Sequence, residues 1–189
     1  MTKRTKMTMI DRRAVFIDRD GTLIRTYPGR PANNPEEVEL LQGVSTGLRR
    51  LKDAGFMLIV VTNQGGVGLG YMTMDTLSKM HDQLDFLIKE AGGPFIDAYY
   101  FCPHTLQAKC LCRKPHPKMI LDAAKEFGID PSKSYMVGDD PRDIQAGAAA
   151  KLRKGYMVKS DRTEETPLSS GTFDHFGCAA EAILNDCLT

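Results

Sequence analysis

The sequence predicts an α/β fold in three layers, with a mostly parallel sheet between two layers of helices. Short apolar runs alternate with segments of helical periodicity along most of the chain, the pattern of successive βαβ units. The apolar runs carry no polar alternation, as expected of strands covered by helices on both faces. The runs also end in polar residues: Asp18, then Thr62 and Asn63, then Cys102, then Asp139. Sheets of this kind bind ligands at the carboxyl ends of their strands, so these residues are the first candidates for a site.

Each element has its own signal. Residues 14–17 form a buried strand that stops at Asp18. Residues 44–54 read as a helix, with Leu48 and Leu51 on one face and Gly55 as the stop. Residues 57–61 form a second apolar strand ending at Thr62. The spacing of Leu77, Met80, Leu84, Leu87 and Ile88 makes residues 74–91 an amphipathic helix. Residues 97–101 are a third strand, and residues 102–117 are irregular. Residues 118–127 form a helix stopped by Gly128. A fourth strand at 135–137 runs into Gly138 and Asp139, and a helix covers 143–150. A fifth strand at 155–158 and a closing helix at 179–188 complete the Rossmann-like pattern.

The 189 residues suit one domain, placed at 13–189 behind a flexible N-terminal tail of residues 1–12. With 25 Lys+Arg against 24 Asp+Glu, the chain is no general polyanion binder. It has no basic-aromatic interleaving, so no nucleic-acid partner is expected. No apolar stretch approaches a membrane span or a signal-peptide core, so a cytoplasmic protein without a membrane partner is expected. A monomer is expected.

The strand ends carry a coherent chemistry. Asp18 and Asp20 flank the exit from the first strand, and Gly21 and Thr22 suit a tight turn. Asp139, Asp140 and Asp143 follow the fourth strand. Carboxylates converging on one sheet edge stay ionised only beside a hard cation such as magnesium, or beside Lys or Arg. Thr62 and Asn63 offer a hydroxyl, an amide and backbone N–H groups, and the glycines from Gly65 onward allow close backbone approach to a ligand. Arg113 and Lys114 supply fixed positive charge. Taken alone, Asp18 and Asp20 also suit a polar turn, Thr62 a strand cap and Asp143 a helix N-cap. Asp140 reads as a solvated acid.

The cysteines give a second constellation. Five is an odd number, and three of them join His104 in the pattern C-x-H-x5-C-x-C: Cys102, His104, Cys110 and Cys112. Three thiolates and one imidazole make a closed tetrahedral zinc site, structural because no position is left open. It would organise the loop 102–112 and place Arg113 and Lys114 beside the site. Cys178 and Cys187 read as small, partly buried residues. His81 reads as a helix-surface residue, His175 as a loop residue, and Met72, Met74 and Met80 as core filler.

Carboxylate pair, hydroxyl, lysine and second acidic group, in that order on a parallel sheet, resemble the haloacid dehalogenase superfamily of phosphotransferases. The resemblance covers all four motifs, from Phe16 to Asp143. It implies a phosphatase in which Asp18 is the nucleophile and Asp20 the general acid and base. Magnesium would be held by the Asp18 carboxylate, the Asp20 carbonyl and the Asp139 carboxylate. Thr62 and Lys114 would bind the transferring phosphoryl group, and Asp143 would orient Lys114 or a magnesium-bound water.

The zinc loop running into Arg113 and Lys114 is similar to the branch that holds heptose-bisphosphate and histidinol-phosphate phosphatases. The segment from Asn34 to Gly43 and the run from Thr62 to Tyr71 lean toward the heptose enzymes. The resemblance implies a small sugar phosphate as substrate. It would be contacted by Thr26, Tyr27, Pro28, Gly29, Asn63, Gln64 and Gly65, and recognised by Arg113. The chain departs from that pattern at Gly68 and Leu69, where the family has Ala-Arg, and at Lys151 to Lys154, where it runs through small and apolar residues. No insertion is large enough for a cap domain, so a capless, open site is expected. A zinc-stabilised binding module is the alternative of a different class.

Overall fold

The computed structural model describes residues 12–161 and 163–187. Residues 1–11, nearly all of the expected tail, lie outside the described residues, as does residue 188 of the expected closing helix. Arg12 already joins the fold, bridging Ile129 and accepting the Asp130 N–H at 2.8 Å.

Strands β1 (Ala14–Ile17), β2 (Met57–Asn63), β3 (Ala98–Cys102), β4 (Tyr135–Gly138), β5 (Lys154–Val158) and β6 (Thr172–Phe173) form one sheet. The order is β3-β2-β1-β4-β5-β6, and every pairing is parallel. Helices α1 (Val44–Asp53), α2 (Gly65–Gly68), α3 (Met74–Glu90), α4 (Lys118–Phe127), α5 (Pro141–Ala149) and α6 (Phe176–Asp186) make the crossovers and the close.

The pleat sorts the strand side chains into two cores. Val15, Ile17, Leu58, Val60 and Val137 point to one side, against Leu48, Leu51, Leu77, Leu84 and Ile183 of α1, α3 and α6. Ala14, Phe16, Ile59, Val61 and Met136 point to the other, against Ile120, Ala123 and Ala146 of α4 and α5. The expected three layers are therefore present, and strands buried on both faces explain the unbroken apolar runs.

Topology fixes where a site can form. From β1 the chain builds outward through β2 and β3, then returns to place β4 on the other side of β1. Ile17 pairs with Val60 on one side and Val137 on the other. Asp18 and Asp139 therefore leave the sheet beside the end of β2, which carries Thr62, at the crevice where the strand order reverses.

Several elements differ from the sequence reading. α5 starts at Pro141, because Asp140 is its N-cap and Asp143 completes a capping box from the third helical position. Asp140 is thus a cap that pairs with Arg142, not a solvated acid. α6 starts at Phe176, whose ring packs onto α1 where Gly47 leaves room; a Cβ there would stand 2.9 Å from Phe176 Cδ1. The glycine run after Gln64 contains the one-turn helix α2, and β6 is too short to leave an apolar run. His81 is buried, not at the surface. It stacks on Tyr99 at 4.3 Å, and burial with the Arg19 charge lowers its pKa to about 3. Met72 and Met80 are core residues, but Met74 at the start of α3 is exposed. Cys178 and Cys187 are partly buried.

Candidate active site

Four buried charges meet where β1, β2 and β4 end. The Lys114 ammonium is only 3 % exposed. It donates to Asp18 Oδ1 at 2.7 Å and to the Val61 carbonyl at 2.7 Å, and pairs with Asp143 Oδ1 at 2.6 Å. Those contacts use all three of its N–H donors. Burial alone would lower its pKa, but the charges of Asp143 and Asp18 outweigh burial and raise it.

Asp139 completes the cluster. One oxygen each from Asp18, Asp139 and Asp143 lies within 4.8 Å of the others. Burial and the Asp18 charge push Asp139 up to about 8, although Ser160 Oγ donates to it at 2.7 Å. Burial and the Asp18 charge likewise push Asp143 up to about 7, against the pull of Lys114. Three carboxylates beside one ammonium cannot all stay ionised in a low-dielectric crevice without a further cation. Lys114 serves Asp18 and Asp143 but not Asp139. An oxygen-only donor set of this kind, short of cationic partners, fits a hard divalent cation.

Two glycines let this cluster close. Gly21 has a φ of +87°, and a Cβ there would stand 2.1 Å from Asp139 Oδ2. A Cβ on Gly138 would stand 2.2 Å from Asp143 Oδ2.

The cleft in front of the cluster has a volume of about 590 Å³. Asp18, Asp20, Thr62, Asn63, Gln64, Gly65, Arg113, Lys114, Asp139 and Asp143 all line it. Of the segment 26–29, only Gly29 does. Tyr27 turns away, its one hydroxyl hydrogen shared between the Glu37 carbonyl and Glu39 Oε1, each at 3.2 Å. Arg30, Pro31 and Asn33 reach the cleft from that loop instead. Leu69 and Tyr71 form an exposed rim.

Residues expected to contact substrate also hold the site together. Asn63 clasps the Lys114 backbone at both ends, its amide donating to Lys114 O at 3.2 Å and its oxygen accepting from Lys114 N at 3.0 Å. Gln64 Nε2 donates to Asp20 Oδ2 at 2.7 Å and to Thr62 Oγ1 at 2.8 Å. Its Oε1 accepts from Arg19 at 2.9 Å. Arg19 is fully buried and forks onto Asp20. Arg19 and Ser160 belong to the site although the sequence pattern does not single them out. Ser160 follows the end of β5, so the strand-end rule extended to the fifth strand would have found it. Arg19 had a weaker signal, a cation between two acids just past a buried strand.

The guanidiniums of the cleft differ in availability. Arg30 is held by Glu37 at 2.6 and 2.7 Å, and Arg142 by Asp140. Arg113 has no carboxylate partner among the described residues; its Nη1 donates to the His104 carbonyl at 3.2 Å.

That carbonyl belongs to the cysteine loop. Cys102 Sγ lies 3.4 Å from Cys110 Sγ and 3.2 Å from Cys112 Sγ, and His104 Nδ1 lies 3.2 Å from Cys112 Sγ. The sulfurs are too far apart for disulfides and close to the edge length of about 3.8 Å that Zn–S bonds impose on a tetrahedron. The four residues form a candidate zinc site. Cys102 ends β3, and its carbonyl accepts the Gln64 N–H at 2.7 Å. The loop is thus tied to both Gln64 and Arg113.

Residues 30–151 match the family described as haloacid dehalogenase-like hydrolases. The chain belongs to this family. Within it, the chain is 36% identical over 157 residues to a protein of Pasteurella multocida named D-glycero-beta-D-manno-heptose-1,7-bisphosphate 7-phosphatase. That alignment covers 80% of this chain and 84% of the relative. The same-named protein of Haemophilus influenzae is 37% identical over 156 residues, covering 79% and 83%. The solved D,D-heptose 1,7-bisphosphate phosphatase of B. bronchiseptica, complexed with magnesium and phosphate, superposes with a TM-score of 0.84. It is 28% identical, over 92% of this chain and 99% of that one. The family membership makes the chain a hydrolase of the haloacid dehalogenase type, with the α/β fold described above.

Proposed function

We propose that this chain is a magnesium-dependent phosphatase that removes the 7-phosphate of D-glycero-D-manno-heptose 1,7-bisphosphate, in the supply of activated heptose for lipopolysaccharide core. The observation that carries the reading is the buried Asp18–Lys114–Asp143 chain beside Asp139, lining a cleft. The heptose-bisphosphate relatives supply the substrate class. Residues 13–189 act as one catalytic domain.

Asp18, Asp139 and the Asp20 carbonyl would hold magnesium, which when bound neutralises repulsion between the nucleophile and the phosphate dianion. Asp18 attacks phosphorus, and the bond from phosphorus to the sugar oxygen breaks. Asp20 gives that oxygen its proton. Water then attacks the aspartyl-phosphate, Asp20 takes a proton from it, and inorganic phosphate leaves. Lys114 holds the Asp18 carboxylate in place and offsets charge on the phosphoryl oxygens. Thr62 Oγ1 accepts from Gln64, so its own hydrogen is free to donate to a phosphoryl oxygen. Asp143 keeps Lys114 in position. Arg113 meets the second phosphate of the substrate.

Histidinol phosphate is the competing substrate. It carries a cation where the bisphosphate carries a second anion, so the unpaired Arg113 favours the bisphosphate. Values of kcat/KM measured side by side on both decide between them.

The cysteine loop holds zinc as a structural ion and fixes Arg113 through the His104 carbonyl. Five free thiols, three gathered as ligands, support a reducing, cytoplasmic location. No helix among the described residues is long and apolar enough to cross a membrane. We take the chain to act as a monomer on a small sugar phosphate, bound in a cleft of about 590 Å³.

A further inference from the structure

We infer that Arg19 and Gln64 are positioning residues for proton transfer, which anchor one oxygen of Asp20 and leave the other to exchange the proton. The inference rests on the phosphatase reading above and adds to it how its general acid is aimed.

The oxygens of Asp20 are not equivalent. Oδ2 accepts from Gln64 Nε2 at 2.7 Å, from Arg19 Nη2 at 3.0 Å and from Arg19 Nε at 3.2 Å. Oδ1 accepts from Arg19 Nη2 at 3.1 Å, its one hydrogen bond among the described residues. A carboxyl that must alternately give and take a proton needs one oxygen with a lone pair to spare. The crowding at Oδ2 assigns that task to Oδ1.

Gln64 is suited to position and poorly suited to touch substrate. It is 1% exposed, and its amide is committed on both sides: Oε1 to Arg19, Nε2 to Asp20 and Thr62. Its contact with Thr62 is to the hydroxyl oxygen as acceptor, so the Thr62 hydrogen that faces the phosphoryl group does not depend on Gln64, whereas the orientation of Asp20 does. Arg19 is 0% exposed and forks onto the carboxylate, which a lysine's single point charge cannot imitate. In the first half-reaction the proton leaves Oδ1 for the leaving oxygen as the phosphorus–oxygen bond breaks and the Asp18–phosphorus bond forms. In the second it returns to Oδ1 from the attacking water.

The test uses leaving-group dependence. A primary-alkyl phosphate needs its leaving oxygen protonated, whereas p-nitrophenyl phosphate expels a stable anion. Values of kcat/KM are measured on heptose 1,7-bisphosphate and p-nitrophenyl phosphate for the parent, Gln64→Leu, Arg19→Lys and Asp20→Asn. Glycerol 3-phosphate replaces the heptose ester if the parent does not hydrolyse it, so failure of the substrate reading is visible separately. Gln64→Leu is expected to lose about 10- to 100-fold on the alkyl ester and less than about 3-fold on the nitrophenyl ester, because positioned proton transfer contributes roughly 10²–10⁴-fold. Arg19→Lys should show the same selectivity in smaller measure. In an Asp20→Asn background, Gln64→Leu should cost nothing further.

Equal losses on both esters, or a raised KM with unchanged kcat, would overturn the inference, the latter by making Gln64 a direct substrate contact. If Asp20→Asn itself shows no leaving-group selectivity, the assignment of Asp20 falls. If Asp20→Asn shows it and Gln64→Leu does not, only the positioning role falls. Should Arg19→Lys fail to fold by circular dichroism, Gln64→Leu decides alone.

Discussion

Raising the pH from about 6 to about 8 should tighten magnesium binding by about 50-fold, because the ion has to displace a proton that Asp139 holds in the free chain. Burial and the neighbouring Asp18 push Asp139 up to about 8, and only the ionised carboxylate binds the metal. Magnesium affinity is then reduced about 100-fold near pH 6 and about twofold near pH 8, relative to the fully ionised site. The difference is worth about 2 kcal/mol. Asp143, pushed up to about 7, acts in the same direction. The sign for the metal-free chain is the opposite. A raised carboxylate contributes stability below its unfolded value that is lost as the pH climbs through the folded one. The metal-free fold should therefore weaken between roughly pH 4 and pH 8, and magnesium should restore it most at the alkaline end. Isothermal titration of dialysed protein, in buffers of different ionisation enthalpy, reads both the affinity and the protons released. About one proton should be released near pH 6 and about half of one near pH 8 from Asp139 alone. An affinity that changes less than about threefold across this range, with no proton release, would refute the reasoning.

Two other outcomes follow from the same geometry. Elemental analysis of freshly purified, reduced protein should find one zinc per chain, and Cys110→Ser should lower the melting temperature by on the order of 10 °C, as loss of a structural metal costs several kcal/mol; near-zero zinc would end the structural-zinc reading. Arg113→Met should raise KM for the bisphosphate by about tenfold or more, the value of a charge-assisted contact, while leaving KM for a singly phosphorylated ester within about twofold; equal effects on both would remove Arg113 from recognition of the second phosphate.

The parts of this molecule that were legible in its sequence share a physical cause. β1, β2 and β4 are buried on both faces, so they appear as unbroken apolar runs, and the residue that ends each run is forced to the crevice. The apolar runs alone therefore place Asp18, Thr62 and Asp139. Lys114 comes from a loop with no periodicity, and only the motif it belongs to pointed to it. What stayed hidden depends on side-chain direction. Nothing in a helical pattern shows that His81 turns inward onto Tyr99, and nothing in the run after Thr62 shows that the Gln64 amide turns to Asp20 and not to the open cleft. Asp140, not Asp143, is the N-cap because a proline at the first helical position moves the helix start upstream, while Asp143 pairs with Lys114 as the family resemblance implies. Thr26, Tyr27 and Pro28 lie on a loop whose path is set by contacts among Tyr27, Arg30, Glu37 and Glu39, which local sequence does not specify.

The central claim is that Asp18 is a phosphatase nucleophile acting on heptose 1,7-bisphosphate. Phosphate release from that substrate, measured with magnesium for the parent and for Asp18→Asn, tests it most directly. The account predicts turnover by the parent, release of the 7-phosphate and not the 1-phosphate, and loss of turnover to background in Asp18→Asn with the fold retained. Turnover by Asp18→Asn equal to that of the parent would contradict it.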